Sequence, residues 1–252
     1  MLKEERHRNI LALLRREGKV VASELSEALQ ISEDTVRRDL NEMAATGLLQ
    51  RVHGGALAQP APTVISYHSR ERESNAAKSA IAVVCARLLK QDQVIVIDSG
   101  TTALRVAQQL APDFRATILT NSVPVLDALS AHSAVEVIGI GGRLFKEARC
   151  TVGAQAVAEF RAINADVCIL GLNGIHPEVG LCVLEHESML VKAAMIHGAR
   201  QVVAVAASDK LGTVAPFVFA QLSSITHLVT DSAAPEETLK PYRDAGIEVL
   251  AG

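Results

Sequence analysis

The residues best suited to chemistry stand in short polar runs that follow apolar ones. In VIVIDSGTT (94–102), four β-branched residues lead into Asp98, then Ser99, Gly100, Thr101 and Thr102. Comparable endings are Thr120-Asn121-Ser122, Gly141-Gly142-Arg143 and the run from Gly171 to Gly174. In open α/β sheets, ligands bind beyond the carboxyl ends of the strands. Hydroxyls and backbone amides there suit phosphate oxygens. Gly100 lets the backbone close on a ligand. Ser99, Thr101 and Thr102 open the next helix, where the dipole favours an anion. Asp98 would repel phosphate and suits a sugar hydroxyl instead. One such loop alone is equally a capped turn; several at successive strand ends favour a ligand site. Lys192 and Lys210 are candidates to neutralise a phosphate, as are Arg143 and Lys146, although a surface position is the default for each.

Two kinds of protein would use such a pocket. A sugar-phosphate isomerase needs a general base near the substrate carbon and an acid or oxyanion donor opposite. Asp98 and Glu187 are the candidate carboxylates for that, with Lys210 as electrophile. A sensor needs only to bind and change shape.

A second constellation favours the sensor. In ISEDTVRRDL (31–40), Ser32 caps a helix, and Glu33 and Asp34 complement its dipole. At 100° per residue, Val36, Leu40 and Met43 face inward. Arg38 points outward, with Thr35 and Arg37 on the flanks. Arginines and a hydroxyl near a helix N-terminus are what a recognition helix presents to base edges and phosphates. Arg51 and His53 follow on a hairpin and are placed to reach the DNA backbone. The competing reading is a solvated face with an Asp34–Arg38 pair at i, i+4. Charge does not separate the two, since residues 1–57 carry nine Lys or Arg and nine Asp or Glu.

The elements around these residues form two blocks. Residues 1–57 show three helical stripes (Ile10 with Leu13 and Leu14; Leu25 with Leu29; Val36, Leu40 and Met43), the third closed by Gly47. A strand over Leu48–Val52 and a His53-Gly54-Gly55 turn complete a winged helix-turn-helix outline. Residues 58–74 read as a linker: AQPAP (58–62), then a polar stretch. From 75 to 252, apolar runs at 94–97, 116–119, 135–140, 167–170, 202–205, 226–230 and 247–250 alternate with helical segments. That pattern implies a parallel sheet covered on both faces, an α/β fold.

The chain has 252 residues with a net charge of −3, 49% of them hydrophobic. That is enough for a sizeable core, and the whole molecule is no polycation. Cys85, Cys150, Cys168 and Cys182 are scattered without metal-ligand spacing, so no metal or cofactor is expected. They fit small buried hydrophobes in a reducing compartment. The N-terminus MLKEERHRN has no apolar core of a signal peptide. No run reaches a membrane-spanning length. A cytoplasmic location is expected.

These motifs resemble those of DeoR-family bacterial transcriptional regulators. The resemblance rests on Arg8 with Leu11, ISEDTVRRDL (31–40) and LLQRVHGGA (48–56) in the first block. In the second it rests on DSGTT (98–102), TNS (120–122), GG (141–142), DVCILGLNG (166–174), VKAAM (191–195) and SDKLG (208–212), so it covers nearly the whole chain. It implies that Thr35, Arg37 and Arg38 face DNA. It also implies a sensor domain similar to ribose-5-phosphate isomerase and CoA transferases, with a phosphorylated sugar or polyol as effector. One position departs from the pattern: Ala207 stands where the family usually has Asp, three residues before Lys210. Together these observations give the expectation of a repressor of a carbohydrate-utilisation operon with no catalytic residues. It would bind operator DNA as a homodimer or homotetramer, because a symmetric site needs two copies.

Overall fold

The computed structural model describes residues 3–17, 19–45, 48–57, 67–72 and 75–252. Gly47 and the linker residues 58–66, 73 and 74 lie outside them. The chain divides into two compact units, Met1–Pro62 and Thr63–Gly252.

The first unit runs α1 (Lys3–Glu17), β1 (Lys19–Val21), α2 (Ala22–Leu29), α3 (Glu33–Ala45), β2 (Gln50–Val52) and β3 (Gly55–Leu57). Ile10, Leu14, Leu25, Val36, Leu40 and Met43 are buried, so each helical stripe contributes to one core. The three strands form an antiparallel sheet in the order β1-β3-β2. The hairpin's first strand begins at Gln50 rather than Leu48. Leu48 and Leu49 are buried instead, and the Leu48 amide donates to Met43 O at 2.9 Å, closing the end of α3. Asp39, from the same RRDL run as the outward arginines, faces inward. It accepts from Arg6 Nε (2.7 Å) and Nη2 (3.0 Å) and lies 3.4 Å from His7 Nε2. Burial works against its charge, yet Arg6 and His7 outweigh that and hold its carboxyl below the usual range. The recognition helix is thereby fixed to α1.

The second unit opens with α4 (Tyr67–Arg72) and α5 (Asn75–Ala86). It continues through β4 (Gln93–Ile97), α6 (Thr101–Gln108), β5 (Ala116–Thr120), α7 (Val123–Leu129) and β6 (Val135–Gly139). Next come β7 (Arg143–Phe145), β8 (Cys150–Val152), α8 (Ala154–Arg161), β9 (Ala165–Gly171), β10 (Gly174–His176) and β11 (Gly180–Val183). The chain ends with α9 (His186–His197), β12 (Ala199–Val205), β13 (Phe217–Ala220), β14 (His227–Thr230), α10 (Glu236–Asp244) and β15 (Glu248–Ala251).

All seven strands read from the apolar runs join one parallel sheet, in the order β15-β14-β12-β9-β4-β5-β6. Alternation along each strand feeds two cores. Ile95 and Ile97 pack on one face with Ile81, Val106 and Val203. Val96 packs on the other with Phe160, Leu170, Met195 and Ala204. The four cysteines are free and buried. Burial pushes the Cys85 thiol up to about 12, so it stays protonated and inert.

The strand order matters for function. From β4 the chain moves outward to β5 and β6, and from β9 it moves the other way to β12, β14 and β15. The direction switches between β4 and β9, and a crevice opens at such a switch point.

Candidate functional site

The exposed side of α3 is the candidate nucleic-acid interface. Ser32 Oγ accepts from the Thr35 amide (3.3 Å) and lies 2.9 Å from Thr35 Oγ1, so the helix start is fixed by its own side chains. Arg37 pairs with Glu33 at 2.9 Å and Arg38 with Asp34 at 3.2 Å, each at i, i+4. Both pairs are solvated, with 83% of the Arg38 side chain exposed. Such pairs are worth under about 1 kcal/mol, so a phosphate can take either arginine at little cost. His53 is exposed on the turn.

Arg51 does something other than reach outward. Its Nε donates to Asn41 Oδ1 of α3 at 3.0 Å, and its Nη1 donates to the carbonyls of Val52 and Gly55. The guanidinium is engaged in tying the hairpin to the recognition helix. Arg38→Ala is therefore expected to weaken operator binding and to lower the salt slope by about one unit. Arg51→Ala is expected to weaken binding with the slope nearly unchanged. Gel shifts over a salt series separate the two; equal slopes for wild type and Arg38→Ala would remove Arg38 from the DNA face.

In the second unit a pocket lies at the switch point. Ser99, Gly100, Thr101 and Thr102 form one side and Gly171, Leu172 and Asn173 another. Glu185, Ser188 and Lys192 close it from around α9, and Ala207, Asp209 and Lys210 from the loop after β12. The remaining wall is Arg70 and Lys78 from α4 and α5, with Phe145, Glu147 and Ala148 at the tip of the β7–β8 hairpin. Gly100 caps α6 at φ 125°, a conformation other residues rarely adopt, and no side chain caps the helix. The first-turn amides of α6 thus open toward the pocket, where the dipole favours an anion.

Asp98 is not part of this lining. It is buried, accepts from the Gly171 amide at 2.9 Å and is ion-paired with Lys192. Lys192 also donates to Gly171 O at 3.0 Å. The pair joins the ends of β4 and β9 to α9 beneath the pocket. The reading of Asp98 as a sugar-hydroxyl contact is corrected accordingly: its carboxylate is spent on Lys192. Lys192 lines the pocket with its charge already compensated.

Two further motifs are displaced from the pocket. Thr120 Oγ1 accepts from the Ser122 amide (3.1 Å), and Ser122 Oγ caps α7 through the Val125 amide (3.4 Å). Asn121 Nδ2 donates to Thr151 O (2.7 Å). A Cβ on Gly142 would meet Val152 O at 2.6 Å, and one on Gly141 would meet Gln155 Nε2 at the same distance. Both motifs, expected to touch the effector, instead seat the β7–β8 hairpin, whose tip is a pocket wall. Small polar residues serve close packing as readily as ligand binding, so the sequence does not separate the two uses.

Lys210 is held from both ends of its loop. Asp231, at the end of β14, accepts from the Ser208 amide (2.7 Å) and Oγ (3.0 Å). The buried Tyr242 hydroxyl accepts from the Gly212 amide (2.9 Å) and donates to Ile175 O (2.8 Å). Ala207 leaves no gap in this anchoring. Sequence reasoning finds the Gly171–Gly174 run but misses Arg70, Lys78, Glu147, Glu185, Ser188 and Asp209. One signal was available: Lys78 shares the buried stripe of Ile81, Ala82 and Cys85, where a lysine is rarely placed without a partner.

Both units have counterparts among known families. Residues 6–60 match the DeoR-like helix-turn-helix domain, and residues 73–232 match the DeoR C terminal sensor domain. The chain belongs to the DeoR family. Among DeoR-like relatives, it is 31% identical to the HTH-type transcriptional repressor GlcR of Bacillus subtilis (99% of this chain, 96% of that protein). It is 33% identical to the HTH-type transcriptional regulator GlpR of Haloferax volcanii (100% and 99%). It is 28% identical to the glycerol-3-phosphate regulon repressor of Escherichia coli (99% and 99%). Among solved structures it is similar to ribose 5-phosphate isomerase A of Methanocaldococcus jannaschii, with a TM-score of 0.41 and 12% identity over 55% of each chain. This DeoR-family protein is a DNA-binding transcription regulator, and the isomerase reading is set aside. Among the described residues no His, Cys, Asp and Glu group could hold a metal ion, and no helix is long and apolar enough to cross a membrane.

Proposed function

We propose that this regulator represses a carbohydrate-utilisation operon and that a phosphorylated sugar or polyol in the switch-point pocket modulates its grip on operator DNA. In this reading residues 1–57 read DNA and residues 75–252 sense the effector. The observation that carries it is the uncapped N-terminus of α6 facing the same pocket as Lys78 and Lys210. Backbone donors and two ammonium groups suit a phosphate. Glu147, Glu185 and Asp209 on the remaining walls suit hydroxyls, which donate to carboxylates. The glycerol-3-phosphate regulon repressor among the relatives fits the same ligand class.

Ser99, Gly100, Thr101, Thr102 and Lys210 are the proposed phosphate contacts. Asp98, Lys192, Thr120, Asn121, Ser122, Gly141 and Gly142 support them. A palindromic operator requires at least a dimer, and the cytoplasm is the proposed location, where a regulator of this kind meets its operator.

Thermal unfolding of the full chain against a panel of sugar and polyol phosphates tests the reading. At a hundredfold excess over Kd, a ligand binding only the folded state adds about 2.7 kcal/mol and raises Tm. A panel member is expected to do so while its unphosphorylated sugar does not. Equal shifts with and without phosphate, or none with any member, would overturn it.

A further inference from the structure

The pocket is completed by a residue that precedes the stretch matched to the sensor-domain family. The match to that domain begins at residue 73, yet Arg70 of α4 lines the pocket. We propose that α4 is the element through which a bound effector acts on the DNA-binding unit, with Arg70 and Lys78 as its anion contacts. This rests on the phosphate reading of the pocket.

One attachment of α4 runs through a group an anion would claim. Tyr67 is 1% exposed, and its amide donates to Glu147 O at 3.1 Å. The Arg70 and Arg149 guanidinium carbons lie 5.9 and 5.6 Å from the centre of its ring. Lys78, 7% exposed, donates from Nζ to the Arg70 carbonyl. Lys78 on the pocket wall thus also holds α4, by a bond to a neutral carbonyl, while Arg70 covers the Tyr67 ring within the helix itself. Hydrogen bonds from arginine or lysine to phosphate are roughly twice as strong as neutral ones. A phosphate in the pocket would draw the Arg70 and Lys78 heads inward, loosening the Lys78 bond to the α4 backbone and the Arg70 cover over Tyr67. The seat of α4 would change.

Position in the chain makes that change consequential. Arg70 is thirteen residues from Leu57, the end of the wing strand β3. Every other pocket residue comes later in the sequence. A ligand that moves α4 therefore acts on the segment leading directly to the DNA reader.

Hydrogen exchange of the full chain tests this, using inorganic phosphate and D-ribose 5-phosphate as probes. In wild type, a probe is expected to protect amides 101–103 and to change exchange across 67–72 by about threefold or more. In R70A, and in R70Q, which keeps more of the side chain, binding is expected to weaken about tenfold. At saturating probe these variants should protect 101–103 without the response at 67–72. Protection of 101–103 in wild type with 67–72 unchanged would overturn the proposal alone, as would an intact 67–72 response in both variants. Silence at both segments with either probe would overturn the phosphate reading and this inference together.

Discussion

Lys192→Met is expected to lower the unfolding free energy by about 3–5 kcal/mol, the usual effect of removing one partner of a buried ion pair. The side chains of Lys192 and Asp98 are 8% and 1% exposed, so the orphaned carboxylate has no water to turn to. Among the described residues, the Gly171 amide and Ser99 Oγ, 3.5 Å away, are what still donate to it. Methionine keeps most of the lysine's volume, so cavity formation contributes little. Urea denaturation with an unchanged m-value would report the loss. The double variant with Asp98→Asn should recover much of it, because the amide oxygen still accepts from Gly171 and no charge is left buried. A single-variant loss below about 1 kcal/mol would mean that the pair behaves like a surface one.

Gly55→Ala is expected to abolish specific DNA recognition while leaving the sensor unit folded. A Cβ at Gly55 would fall well inside contact distance of the Val20 carbonyl oxygen, with Val20 C and Val21 Cα at 3.1 Å. These are backbone atoms of β1, so no side chain can swing away and the β1–β3 pairing must part. Specific sites are bound at least about a thousandfold more tightly than random sequence, and most of that margin should vanish in a gel shift. Effector-dependent thermal shifts of the second unit should persist. Gly54→Ala is the control. Nothing lies within 4 Å of a Cβ there, but φ is +81°, so its penalty is conformational, about 1–2 kcal/mol. Equal DNA affinity for Gly55→Ala and wild type would refute the steric account.

The parallel sheet was legible because its strands are apolar, mostly β-branched runs, and the central ones are largely buried on both faces. β1, β7, β8 and β10 escaped because three residues have no period to detect. Within the pocket, DSGTT was legible by its position at a strand end. TNS and GG carry the same small polar signature, yet they brace a hairpin, and only the strand order and the contacts of Thr151 and Val152 reveal it. Asp98 stands beside pocket residues in sequence, but its partner Lys192 is 94 positions away, a separation no local pattern reports. Arg70 was hidden for another reason: a polar run after AQPAP has the composition of a linker, and the burial of Tyr67 that orders α4 depends on the distant hairpin.

The bonds from Arg51 to Asn41 and to the Val52 and Gly55 carbonyls tie the wing to the recognition helix before any DNA is present. The entropy of ordering the turn is spent during folding and is not charged again when DNA arrives. If Thr35 and Arg38 meet base edges as proposed, they do so from positions set in advance, because the helix and the wing are tied together through Arg51.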